Sequence, residues 1–100
     1  MASKIIKNSG NDFQLVIEDD CIVYQDLKRR IEAEIPYDNI DYVEFNKLRR
    51  GNGFTTQLEV IIELLDYQVE FTSTTISMVF VGCYMDYELN PIINFVNDQI

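Results

Sequence analysis

The chain reads as a succession of short alternating segments. Phe13, Leu15 and Ile17 alternate with Gln14, Val16 and Glu18, and a period of two marks a half-buried β-strand. Asp19-Asp20 then predicts a tight turn, since short acidic side chains bond nearby backbone amides. Cys21 to Asp26 returns as a second strand, rich in β-branched and aromatic residues. In the next segment Ile31, Ala33 and Ile35 share one face and Glu32 and Glu34 the other. Pro36 ends that strand because it cannot donate to a ladder. After a turn at Tyr37-Asp38-Asn39-Ile40, Val43 and Phe45 alternate with Tyr42, Glu44 and Asn46. Arg49-Arg50-Gly51-Asn52-Gly53 is the strongest turn signal in the chain.

Two periods compete in the next stretch. Leu58, Val60, Ile62 and Leu64 alternate as a strand, whereas Leu58, Ile61, Ile62 and Leu65 fit a helical stripe behind a Thr56/Glu59 capping box. Three consecutive β-branched residues, Val60, Ile61 and Ile62, favour the strand; an α+β fold with a helix at 57–65 is the alternative. Gln68 to Thr72, with Val69 and Phe71 inward, and Ile76 to Gly82 complete seven predicted strands. The period then changes to that of a helix. Asn90 suits an N-cap, Pro91 the first turn, and Ile92, Ile93, Val96 and Ile100 form an apolar stripe.

Seven strands followed by one helix resemble the pleckstrin-homology-like (PH-like) superfold. The segment Ile35-Pro36-Tyr37-Asp38-Asn39-Ile40-Asp41-Tyr42-Val43 is similar to small bacterial PH-like domains, where a strand ending in Ile-Pro leads through a turn into a Val-containing strand. The resemblance, over about residues 10–100, implies a mainly β barrel of four- and three-stranded antiparallel sheets capped by the final helix. It implies no particular function, because folds of this kind serve many.

With 100 residues, the chain has room for a single domain. Its 17 acidic and 8 basic side chains give a net charge of −9, and all the Lys and Arg lie in residues 1–50. That charge argues against direct nucleic-acid binding, which rests on phosphate contacts. It also argues against membrane lipid, and Glu18-Asp19-Asp20, read as the first hairpin loop, would repel an anionic headgroup. The absence of His excludes His-based dyads, triads and metal sites. Cys21 and Cys83 stand far apart with no C-x-x-C, have no adjacent cation to activate them, and suggest neither zinc nor a disulfide framework. The Cys83-x-x-Asp86-x-Glu88 run has ligand-type residues but no second cluster to complete a shell. No catalytic residue, metal or cofactor is therefore expected. Met1 to Gly10 holds only Ile5 and Ile6 as large apolar residues, too few for a secretory signal, which predicts a cytoplasmic protein.

Three surfaces remain as candidates. Lys28-Arg29-Arg30 and Lys47, Arg49 and Arg50 fall in predicted loops that should share one rim, where Arg29, Arg30, Arg49 and Arg50 could hold carboxylate or phosphate. Glu59, Glu63 and Glu70, on predicted adjacent strands, could imitate a phosphate array. Ile61 and Leu65 face outward if Leu58, Val60, Ile62 and Leu64 face the core, and the six tyrosines add amphipathic contact surface. The favoured function is a non-enzymatic protein- or peptide-binding module using edge-strand pairing or a groove beside the helix, with a homo-oligomer as a further partner class. The alternative is an acidic inhibitor, of the kind phages and plasmids carry, that occupies a nucleic-acid-binding site on its target.

Overall fold

The computed structural model describes residues 3–10, 12–50 and 54–100, and the side chains of Arg49, Arg50 and Phe54 fall outside that description. Seven antiparallel strands form two meandering sheets. Sheet A takes β1 (Lys4–Lys7), β2 (Phe13–Ile17), β3 (Cys21–Asp26) and β4 (Ile31–Pro36) in chain order; sheet B takes β5 (Ile40–Arg50), β6 (Phe54–Leu64) and β7 (Thr75–Met85). A 3-10 turn at Tyr37–Asn39 joins the sheets, and α1 (Asp86–Gln99) ends the chain. The ladders of the two sheets stay separate, and a backbone bond from Ser9 N–H to the Val81 carbonyl, 2.9 Å, links one to the other.

The core lies between the sheets. Ile6, Leu15, Ile17, Ile22, Ala33 and Ile35 enter from sheet A, and Leu58, Val60, Ile62, Leu64, Ile76, Met78 and Phe80 from sheet B. This alternation places residues 58–64 in a strand and removes the helix considered for 57–65. Leu89, Ile92 and Val96 bring one face of α1 onto β5 and β7, and Phe95 meets Tyr37 edge-on, ring centroids 6.3 Å apart.

Three sequence-based boundaries change. Lys4–Lys7 is a strand that patterning missed, since it is short and buries only Ile6. The predicted strand at Gln68–Thr72 is a loop, because side chains pin it before it can pair. Asn39 Nδ2 donates to the Asp66 carbonyl (3.1 Å) and to Gln68 Oε1 (2.9 Å), and Asn39 Oδ1 accepts the Asp66 N–H (2.8 Å). Gln68 Nε2 in turn donates to the Glu34 carbonyl. Phe71 then folds inward onto Tyr24, whereas Val69, expected inside, is 84% exposed. Finally, α1 starts at Asp86, so Asn90 is not its cap and Pro91 lies inside it. Pro91 offers no N–H to the Tyr87 carbonyl one turn back. Asp86 and Glu88 favour the first turn electrostatically, and Lys47 Nζ fastens that turn to β5 through Asn90 Oδ1 (2.9 Å) and Asp86 Oδ1 (3.4 Å).

Val96 is fully buried beneath this helix. Val96→Asp should cost about 3 kcal/mol or more, because an unpaired charge replaces a packed side chain. Urea unfolding of the variant and parent measures the loss.

Candidate functional site

The geometry of interest starts from the backbone of β7. In an antiparallel pair, residues facing each other alternate between exchanging hydrogen bonds and pointing them away. The Leu64 N–H donates to the Thr74 carbonyl at 2.8 Å, and the register continues unbroken from Glu63↔Thr75 to Gln57↔Val81. Ile76, Met78 and Phe80 therefore bond β6, while Ser77, Val79 and Val81 direct N–H and C=O away from it. Val81 agrees with this parity: its N–H donates to Asn8 Oδ1 and its carbonyl accepts the Ser9 N–H, both at 2.9 Å. At the other end, the Thr75 N–H donates to Ser73 Oγ at 3.0 Å. Among the described residues, nothing bonds the outward groups of Ser77 and Val79.

The chemistry of this edge is unusual. Native sheets blunt their edges with charge, proline, bulges or a covering segment. From Phe71 to Met85 no residue is charged and none is proline. Asn8 and Ser9 cover Val81 alone. Asn8 is braced by its Nδ2 donating to Asp12 Oδ1 (2.8 Å) over Gly10, where a Cβ would come within 2.6 Å of that oxygen.

Beside the open rungs lies a groove of about 440 Å³ between the β7 edge and the end of sheet A. Phe13, Tyr24 and Met78 line its interior side, and Phe13 is held by Phe80 with ring centroids 5.0 Å apart. Its far wall is the β3–β4 turn, which Asp26 organises. Asp26 Oδ1 accepts the N–H groups of Lys28 (3.1 Å) and Arg29 (3.0 Å), while Oδ2 accepts the Tyr24 hydroxyl at 3.5 Å and lies 3.8 Å from Arg29 Nε. Arg30 closes the turn in the left-handed region, φ 57°. Asp26 is thus turned into its own loop, 12% exposed, while the Arg29 side chain is 77% exposed at the groove.

The residues singled out in the sequence separate. Lys28, Arg29 and Arg30 do form the β3–β4 turn, but Lys47, Arg49 and Arg50 lie within β5, not in a loop. Lys47 turns to α1, because the inward parity of Val43 and Phe45 carries it to that side; the side chains of Arg49 and Arg50 are outside the described residues. Ile61 is half-buried on the outer face of sheet B, between Glu44 and Ser77 on the neighbouring strands, and Leu65 lies exposed past the end of β6. Glu59 and Glu63 share that outer face, whereas Glu70 belongs to the loop. Thr75 Oγ1 donates to Glu63 at 2.5 Å, and hydrogen bonds from Thr75 and Thr74 hold that carboxyl below its ordinary range. The first hairpin is β1–β2, so Glu18-Asp19-Asp20 closes the second hairpin and offers no argument about a first-loop headgroup site. A second groove, about 360 Å³, runs beside the helix between Ile5 of β1 and Tyr87, Pro91 and Ile92 of α1. Sequence patterning missed the β7 edge, although the uncharged run from Phe71 to Met85 was its signal.

The titratable groups add a stability signature. Burial, then the hydrogen bond and charge of Asp20 and the charges of Glu34 and Glu18, push the Cys21 thiol from 9.0 up to about 11. Tyr37, whose hydroxyl donates to the Glu18 carbonyl at 2.8 Å, is pushed from 10.0 up to about 12, mainly by burial. A thiol held protonated is a poor nucleophile. Cys83 lies on β7 and Asp86 and Glu88 on α1, and among the described residues no group of His, Cys, Asp or Glu could hold a metal ion. The unfolded chain releases the Cys21 and Tyr37 protons near pH 9 and 10, and the folded chain only near 11 and 12. In that window the unfolded state binds fewer protons, so stability falls as pH rises. Melting temperatures should hold up to about pH 9 and drop between pH 9 and 12. Tyr37→Phe should melt lower at neutral pH, having lost its hydrogen bond, and show a shallower alkaline fall.

Compared with known proteins, the chain matches no family model and no curated protein.

Proposed function

We propose that this protein is a non-enzymatic interaction module that binds an extended peptide segment of a partner as an added strand along β7. The observation that carries the reading is the pair of open rungs at Ser77 and Val79, on an edge with no charge or proline to blunt it, beside a groove that Phe13, Tyr24 and Met78 help to line. Strand addition takes affinity from main-chain hydrogen bonds and specificity from pockets for alternate side chains. Two residues presenting both N–H and C=O give four such bonds. At about 1 kcal/mol net each they supply a modest affinity that the groove must supplement. The same groove and edge leave a second copy of the chain as another partner for the same backbone.

The order of four strands, three strands and a helix is consistent with a PH-like domain, and we read the fold in that sense. Among the described residues no helix is long and apolar enough to cross a membrane, and we place the module in the cytoplasm on its unpaired cysteines. A second reading rests on the outer face of sheet B. Glu44, Glu59 and Glu63 stand there with no described basic side chain among them, as a nucleic-acid-mimicking inhibitor would require.

Val79→Pro separates these readings. It removes an N–H that has no partner within the fold, so the edge tolerates it, but it breaks the central rung for an added strand. Peptides recovered from a displayed library of random decapeptides should bind the variant at least tenfold more weakly, the equivalent of about 1.4 kcal/mol, with the melting temperature kept. Binders indifferent to Val79→Pro would contradict strand addition. Binding lost instead on Glu59→Gln with Glu63→Gln, and by raised salt, would favour the inhibitor.

A further inference from the structure

We infer that the strand received by β7 carries a side-chain carboxylate facing into the groove, so that this strongly acidic protein selects an acidic segment; the inference rests on the strand-addition reading. A net charge of −9 would by itself attract basic partners. The groove sets two carboxylates, Asp12 and Asp26, against two cations, Lys28 and Arg29, and the difference lies in which of them still have open hydrogen-bonding positions. Of its two carboxylates, Asp26 is occupied by two backbone N–H groups, the Tyr24 hydroxyl and Arg29 Nε, and Asp12 accepts from Asn8. Its cations keep their donors. Among the described residues Lys28 has no ion pair, and Arg29 approaches Asp26 through Nε, which leaves both terminal amino groups for a bidentate contact. Arg30, the third consecutive cation, reinforces the turn's potential. The conformation that presents these groups is fixed by the Asp26 bonds and by the left-handed residue behind them, so little ordering is left to the moment of binding.

Geometry decides between a side chain and a free C-terminus. The backbone of an added strand lies in the plane of sheet B, about 4.8 Å from β7, and its inward side chains stand perpendicular to that plane. The β3–β4 turn belongs to sheet A, across the groove. An inward side chain near Met78 points across that gap, whereas a main-chain terminus stays beside β7.

The test uses random decapeptides displayed with both ends joined to the carrier, so that none has a free terminus. Recovered binders should be enriched in Asp and Glu over the starting library, and Lys28→Glu with Arg29→Glu should weaken them at least tenfold. Replacing the selected Glu of a peptide by Lys should reverse that preference. Both protein side chains are exposed, and an unchanged melting temperature confirms that the variant is folded. Binders without acidic enrichment, or indifferent to the double substitution yet lost on Val79→Pro, would overturn the carboxylate and leave strand addition standing. Binders insensitive to Val79→Pro would overturn both. A free C-terminal peptide binding where joined peptides fail would replace the side chain by the terminus. Co-sedimentation with phosphatidylserine vesicles that is lost in the double variant, with no peptide preference, would assign the cations to lipid.

Discussion

The register between β6 and β7 governs the rest of the structure. It turns Leu58, Val60, Ile62 and Leu64 inward together with Ile76, Met78 and Phe80, which supplies sheet B's half of the core. A slip of one residue would turn one of the two rows to water and bring either Glu59 and Glu63 or Ser77 inside, so this register is strongly specified. The same parity decides where main-chain groups point. Once Ile76, Met78 and Phe80 bond β6, the outward groups of Ser77, Val79 and Val81 must find partners elsewhere or remain open. Core packing and the open edge are therefore two consequences of one pairing.

What closes the neighbouring positions shows why the opening is so confined. Asn8 and Ser9 occupy the rung at Val81, and Ser73 occupies the N–H at Thr75. On the far side, the loop after β6 is tied by Asn39 to the 3-10 turn and by Gln68 to the edge of β4, and Phe71 fills the space against Tyr24. The groove at Ser77–Val79 is what remains between these two tethers. Its charge follows from the same local accounting. A chain with more than twice as many acids as bases places three consecutive cations on the turn beside the groove and commits the nearest carboxylate to holding that turn.

Alternation made β2, β4 and β6 legible in the sequence, with period two over enough residues to outweigh competing signals, and β3 was legible from its β-branched and aromatic content. It failed where local pattern is weak or tertiary contacts override it. β1 buries a single residue, too few to make a pattern, and the alternation at Gln68–Thr72 is overruled by the Asn39 clamp. Asn90-Pro91 looks like a helix start because both residues suit one; burial of Leu89 and the Lys47 bridge extend α1 a turn upstream. The candidate site divides likewise. Lys28 and Arg29 were identifiable as cations, but their position beside the β7 edge depends on the strand order of sheet B and on how it faces sheet A, and no single segment encodes that. Lys47 joined the wrong group because its partners on α1 lie 39 and 43 residues away.

Amide hydrogen exchange along β7 of the isolated protein tests the central claim most directly. The open edge requires an alternating profile, with Ile76, Met78 and Phe80 protected by β6, Val81 protected by Asn8, and Ser77 and Val79 exchanging about 100-fold faster than these neighbours. Uniform protection from Ile76 to Val81 in the monomer would show that the edge is already covered and would contradict the account.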